Sequence, residues 1–212
     1  MAAAVLILLV SVAFAAFFYV DRVHSSNAPD LQRVACVGDS ITQITGYPTD
    51  LQEMLGSKSD VGNFGVSGST ISFNSTRPYI YQNALAEAEQ FQPTTVIIML
   101  GTNDARQDVY PTIGQFDGDY EQLIQQFEDL NSKPQIYLAI PPPVYNNTLG
   151  ISEQDLSSGV IPHIEQVANA TGLPVINENT PLMNHPNYFV DGVHPNDEGA
   201  EVIADVIYQD LT

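Results

Sequence analysis

The chain has 212 residues, a length that suits one domain with a sizeable core. Six Lys and Arg against 25 Asp and Glu give a formal charge of −19, which argues against nucleic acid and against anionic membrane surfaces as partners. A single cysteine excludes an intrachain disulfide framework and any cysteine-based metal cluster. Cys36 lies inside an apolar run and reads as a packed core thiol.

In chain order, Ala2 to Val20 is a 19-residue apolar run interrupted only by Ser11. It is long enough to cross a bilayer as a helix, and Ala13-Phe14-Ala15 also offers a small-x-small cleavage site. The expectation is a signal anchor or signal peptide over residues 1–20, a polar tether over 21–30 and the folded domain over 31–212, lying outside the cytoplasm, membrane-anchored or secreted. No Lys or Arg precedes the run, so the charge rule does not fix its orientation. Three sequons, at Asn74, Asn146 and Asn169, are near the chance expectation for this composition.

Within the domain, Arg33–Val37 reads as a buried strand stopped by Gly38, and Asp39-Ser40 begins a turn able to cap a helix. Pro48–Leu55 reads as a helix ended by Gly56, and Val61–Val66 as a strand running into a small-residue loop. A helix over Tyr79–Phe91, a strand over Thr95–Leu100 and an amphipathic helix over Phe116–Leu130 follow. The remaining elements are a strand at Gln135–Ile140, a helix from about Ser157 to Ala170, a strand at Leu173–Asn177 and a closing helix over Glu198–Leu211. Strands alternating with helices predict a parallel sheet covered on both faces. The chosen topology is flavodoxin-like: three layers, α/β/α, around a five-stranded parallel sheet.

In such a sheet the strand ends share one edge, and four of them carry polar or glycine-rich loops. Ser40 sits at the first, Gly65 to Thr70 at the second, Asn103 at the third, and Asp191 and His194 in the loop before the last helix. A serine nucleophile needs a base, which His194 can supply, and an imidazole base needs an acceptor such as Asp191 on its other nitrogen. A developing oxyanion needs placed donors, and the Ser40 N–H, the Gly68 N–H and the Asn103 amide are candidates. Gly65 competes with Gly68, which is preferred because it lies further into the loop.

GDSIT at 38–42, NFGVSGST at 63–70, GTND at 101–104 and DGVHP at 191–195 resemble, in the same order, the four blocks of the SGNH hydrolases, also called GDSL esterases. The resemblance covers roughly residues 31–212 and implies Ser40 as nucleophile, Asp191 and His194 as its triad partners, and Ser40, Gly68 and Asn103 as the oxyanion hole. VGNFGVSGST, VIIMLGTNDA, IPPPVY and VDGVHPNDEGA together look like sialate O-acetylesterase-like or acetylxylan-esterase-like enzymes. The implied activity is hydrolysis of acetyl or other short-acyl esters on carbohydrates, with no cofactor or metal. The absence of Trp, of a lid insertion and of a long apolar stretch in the domain points the same way. A lysophospholipase or thioesterase of the same fold is the rival enzyme, and an anchored binding module without turnover the rival from another class. Asp39 and Asp104 are read as structural carboxylates. His24, His163 and His185 are read as surface residues without matching partners, while Arg106, Tyr79 and Tyr81, near the motif loops, are read first as ordinary surface or core residues, with contact to sugar hydroxyls or acetyl as the alternative.

Overall fold

The computed structural model describes residues 31–212, so the apolar segment at 1–20 and the tether at 21–30 lie outside the described residues. Among the described residues no helix is long and apolar enough to cross a membrane. Five strands, β1 (Gln32–Gly38), β2 (Ser59–Gly65), β3 (Thr95–Met99), β4 (Gln135–Ile140) and β5 (Val175–Asn177), form one sheet in the order β2-β1-β3-β4-β5. All four pairings are parallel, which is the flavodoxin-like arrangement expected from the alternating pattern.

The α-helices of five residues or more are α1 (Ser40–Ile44), α2 (Tyr47–Leu55), α3 (Asn83–Gln90), α4 (Phe116–Glu128), α5 (Ile161–Thr171) and α6 (Asp197–Leu211). Successive side chains of a strand point to opposite faces, and β1 divides accordingly. Val34 and Cys36 pack with Leu51 of α2 and with Ile203 and Ile207 of α6. Ala35 and Val37 join the other core, which takes in Leu85 of α3, Tyr120 and Phe127 of α4, and Ile164 of α5. Burial on both faces explains why β1 and β3 are continuous apolar runs without polar alternation. Cys36 is buried, and burial pushes its thiol up to about 12 against a weaker opposing hydrogen bond from Tyr47, as a core thiol requires.

Several elements differ from their predicted limits: β2 runs over Ser59–Gly65 rather than Val61–Val66, and α4 ends at Glu128 rather than Leu130. Tyr79–Phe91 splits into a 3₁₀ turn at Tyr79–Tyr81 and α3, because the buried Tyr79 donates its hydroxyl to the Phe64 carbonyl at 2.6 Å and pins the turn to the end of β2. The helix expected from Ser157 starts earlier. The Ser152 hydroxyl accepts from the Asp155 N–H and caps a short turn at Glu153–Asp155, and a π-helical turn at Leu156–Val160 leads into α5. β5 loses its first two predicted residues: Pro174 has no N–H to donate, and only its carbonyl is used, by the Leu138 N–H.

Two carboxyls are buried beneath the C-terminal edge of the sheet. Asp104 accepts from the Ile71 and Ser72 N–H groups at 3.0 and 2.8 Å, and Asp39 from the Ile41 N–H at 2.9 Å, the structural roles expected of both. Burial raises each from an ordinary 3.8 to about 6, with those N–H bonds pulling the other way. Glu178, fully buried with neither oxygen hydrogen-bonded, is pushed well above the carboxylate range by burial, with Asp210 adding to the effect. A folded state with raised carboxyl values binds more protons than the unfolded chain as pH rises from about 4 to about 6, so unfolding free energy falls across that window. Asp39 and Asp104 each contribute about 2 kcal/mol to the fall within that window. The expected result is that urea midpoints decline between pH 4 and 6, and that carboxyl-carbon NMR shows two aspartates titrating near pH 6. Two aspartates titrating near pH 4 instead would refute the assignment.

Candidate active site

Gly38 ends β1, and Asp39 caps α1 so that Ser40 opens the helix at the C-terminal edge of the sheet, 9% exposed. The first N–H groups of a helix have no partner within it, and the Ser40 N–H makes no hydrogen bond among the described residues. On the far side of the edge, the loop before α6 is shaped by Asp191. Its Oδ1 accepts from the Val193 and His194 N–H groups at 3.0 and 2.8 Å, while Oδ2 lies 2.7 Å from His194 Nδ1. One carboxylate thus both folds the loop and orients the ring.

His194 Nε2 lies 2.8 Å from Ser40 Oγ, across 154 positions of sequence. Burial raises Asp191, but the His194 N–H, the His194 ring and the Val193 N–H outweigh it and hold the carboxyl below the usual range. An ionised Asp191 can only accept, so Nδ1 carries the imidazole proton and Nε2 is left to accept the Ser40 hydroxyl. That is the protonation pattern a base requires.

The opposite wall comes from the loop after β2. Gly68 has φ +77, which disfavours a side chain, and its N–H makes no hydrogen bond among the described residues. Gly65 differs: its N–H is donated to Asn63 Oδ1, and a Cβ there would lie 2.3 Å from the Gln43 backbone nitrogen. The first glycine lets the loop approach α1, and the second presents a free donor to the cleft. Asn103 also opens on the cleft, yet its Nδ2 donates to both Asp39 Oδ2 and the Ser69 carbonyl at 3.1 Å each. At rest, therefore, Ser40 and Gly68 offer free donors, and the Asn103 amide is held by two acceptors.

Ser40, Gly68, Asn103 and His194 share a cavity of about 290 Å³ with Arg106. Tyr79 is buried, and Tyr81 is exposed beside Phe73, so neither lines the cavity. A larger cavity of about 620 Å³ between α2 and α6 is lined by Asp50, Glu53, Asp197 and Glu201 and shares no residue with the cleft. The expectation that His163 lacks a partner is corrected: its Nδ1 lies 2.7 Å from Asp117 Oδ1, joining α5 to α4. His185 stacks on Tyr188, and His24 lies outside the described residues.

Two residues went unnoticed in the sequence. Gln43 Oε1 accepts from the Ser67 N–H at 2.9 Å and from its hydroxyl at 2.6 Å, and Arg77 Nη1 donates to the Ser67 carbonyl at 2.8 Å. Together they fix the turn that carries Gly68. Gln43 stands three places after Ser40, a helical spacing that puts it near the serine, but nothing in its residue type announces the contact.

A hydroxyl, an imidazole and a carboxylate in hydrogen-bonded series are the parts of a nucleophilic site, and comparison with known proteins gives the family of the chain. It belongs to the GDSL-like lipase/acylhydrolase family, whose model matches residues 36–202. Over 204 residues it is 33% identical to an acetylxylan esterase of Xylanibacter ruminicola, covering 84% of this chain and 42% of that one. The chain thus spans about two fifths of that relative's length. Among solved structures, the M. smegmatis aryl esterase superposes with a TM-score of 0.68 at 19% identity over 85% of this chain and 98% of that one. An acetyl xylan esterase, AlAXEase, gives 0.69 at 22% over 85% and 100%. At these identities the two structures bear on the fold.

Removing the Gln43 acceptor by Gln43→Ala takes away both bonds to Ser67. Amide hydrogen exchange at Ser67 is expected to rise about five- to tenfold, as loss of roughly one hydrogen bond implies. Unchanged exchange would show that Gln43 does not hold the turn.

Proposed function

We propose that the protein is a serine esterase that removes acetyl or similarly short acyl groups from carbohydrates. The observation that carries this reading is the hydrogen-bonded series Ser40–His194–Asp191, at 2.8 and 2.7 Å, beside two free backbone donors. In the first step Ser40 Oγ attacks the ester carbonyl as His194 Nε2 takes its proton. His194 then passes that proton to the departing alcohol, which leaves an acyl-enzyme. In the second step His194 activates a water that releases the carboxylic acid and restores the serine. The Ser40 and Gly68 N–H groups receive the oxyanion, and the Asn103 amide joins them by loosening one of its two acceptors as charge develops.

The short-acyl reading has two supports: the absence of a lid insertion among the described residues, and the acetylxylan esterase named among the relatives. The apolar run at Ala2–Val20 supports a location outside the cytoplasm. A lysophospholipase or thioesterase reading draws on Ile44 and Leu149, exposed apolar residues at the cavity that could meet a longer chain.

Three measurements test the proposal. Ser40→Ala is expected to lower kcat by about 10⁶, the scale of losing a serine nucleophile that works as a unit with its base. Asp191→Asn is expected to cost about 10⁴, because the amide no longer holds the imidazole in the required tautomer. Across p-nitrophenyl esters of increasing acyl length, rates should peak at acetate. A peak at chains of about eight carbons or more would move the reading to the lysophospholipase or thioesterase, and a Ser40→Ala variant as fast as wild type would end it. The mass of mature protein recovered from a membrane fraction tests location: an intact N-terminus indicates an anchor, and a mass lacking it a cleaved signal.

A further inference from the structure

Residues 31–212 contain five Lys and Arg side chains, and one of them, Arg106, lines the cavity that holds Ser40 and His194. Asp108 holds its guanidinium in place: Nε donates to Oδ1 at 3.0 Å and Nη2 to Oδ2 at 2.6 Å. This pairing leaves Nη1 without a hydrogen bond among the described residues. The Asp108 side chain is 64% exposed and that of Arg106 26%, so the carboxylate braces the guanidinium from the solvent side while Arg106 lines the cavity.

The wall that carries them is fixed. Arg106 forms an antiparallel bridge with Ile151, the Gln107 N–H donates to the Gly150 carbonyl, and the Ser152 N–H to the Ala105 carbonyl. Asn147 locks the facing loop. Its Nδ2 donates to the Tyr145 and Ile151 carbonyls at 2.9 Å, and its Oδ1 accepts from the Leu149 and Ile151 N–H groups at 3.0 and 3.3 Å. Arg106, Leu149 and Ile151 therefore meet the ligand as one preorganised surface.

The charge of that surface decides what it selects. Asp108 balances Arg106 at contact distance, and the chain around the pair carries −19. Arg77, the other cation nearby, donates to the Ser67 carbonyl and does not line the cavity. An anionic group gains little at such a wall and meets an opposing field. A hydroxyl can accept from Nη1, while the half-exposed Leu149 suits a C–H face. An acetyl group fills little of the cavity, so most of it is left for the alcohol. We propose that Arg106, braced by Asp108, is the specificity-determining residue for the alcohol part of the ester, and that it selects an uncharged, hydroxyl-bearing alcohol: a neutral sugar. This rests on the esterase reading above.

The test compares three acetate esters: p-nitrophenyl acetate, mono-O-acetylated methyl xyloside, and the carboxylate-bearing mono-O-acetylated methyl glucuronoside. Wild type is expected to favour the xyloside over the glucuronoside by about tenfold or more in kcat/KM. Arg106→Leu should lower kcat/KM on the xyloside by about ten- to hundredfold, chiefly through KM, and on p-nitrophenyl acetate by less than about threefold. Arg106→Lys, which keeps the charge and loses the fork, should show the same selective loss if the leucine variant fails to fold. Asp108→Asn leaves the guanidinium charge uncompensated and should narrow the preference against the glucuronoside. Equal losses on the xyloside and p-nitrophenyl acetate, or a wild type that favours the glucuronoside, overturn the assignment of Arg106 alone. A wild type inert toward all three esters overturns the esterase reading and this inference with it.

Discussion

The Asp39 carboxylate, buried at the end of β1, holds three neighbouring strand ends at one rim. Its Oδ1 accepts from the Ile41 N–H and so starts the helix that Ser40 opens. Its Oδ2 accepts from Asn103, beyond β3, whose amide reaches on to the Ser69 carbonyl beyond β2. Parallel pairing alone brings the three ends to the same edge, but only to within the reach of loops. The buried hydrogen bonds turn that proximity into a fixed arrangement, and in a low-dielectric interior each is strengthened by its neighbours. The cost is a carboxyl kept from water, visible in its displacement to about 6.

The two sides of the cleft are built on different principles. On the His194 side, Asp191 is partly exposed and gains its low value from three hydrogen bonds, so it stays ionised and can only accept. On the Ser40 side, Asp39 is buried and displaced upward. Environment thus separates two aspartates, one bonded to the His194 ring and one next to Ser40 in the chain, into one that orients an imidazole and one that braces backbone. Residue type alone does not distinguish them.

Much of the fold was legible in the sequence because both faces of the sheet are covered. Thr95–Met99 and Gln135–Ile140 are apolar strands bounded by breakers, and α4 and α6 carry apolar residues at three- and four-residue spacing. Where tertiary contacts decide, the pattern was silent. The break after Tyr81 depends on a tyrosine hydroxyl finding a carbonyl at the end of β2, and the early start at Glu153 on a serine cap outside the apolar repeat. In the site, Ser40, Asp191 and His194 were identifiable from chemistry and loop position, and the structure brings them together. Gly68 and Gly65 could be separated only by seeing which N–H was already bonded. Gln43 and Arg77 act through bonds to one backbone segment, a role that many residue types could fill, and no motif marks it. The double commitment of the Asn103 amide is likewise a property of three loops at once.

Among the described residues the rim has no separate lid, and its loops are already closed on one another. The loop after β3 and the loop after β4 are stitched at Ala105–Gln107 and Gly150–Ser152, and Asn147 satisfies the backbone of the second from within. The turn that carries Gly68 is held from both sides by Gln43 and Arg77. Free backbone donors stabilise developing charge effectively only when they need not reorganise as that charge appears. The Ser40 N–H has this property through the Asp39 cap, and the Gly68 N–H through a braced turn. The Asn103 amide differs, because it must first loosen a bond to Asp39 or to Ser69. On the proposed mechanism the rim is therefore graded: two donors stand ready in the resting state, and a third becomes available only when an oxyanion competes successfully with an acceptor already in place.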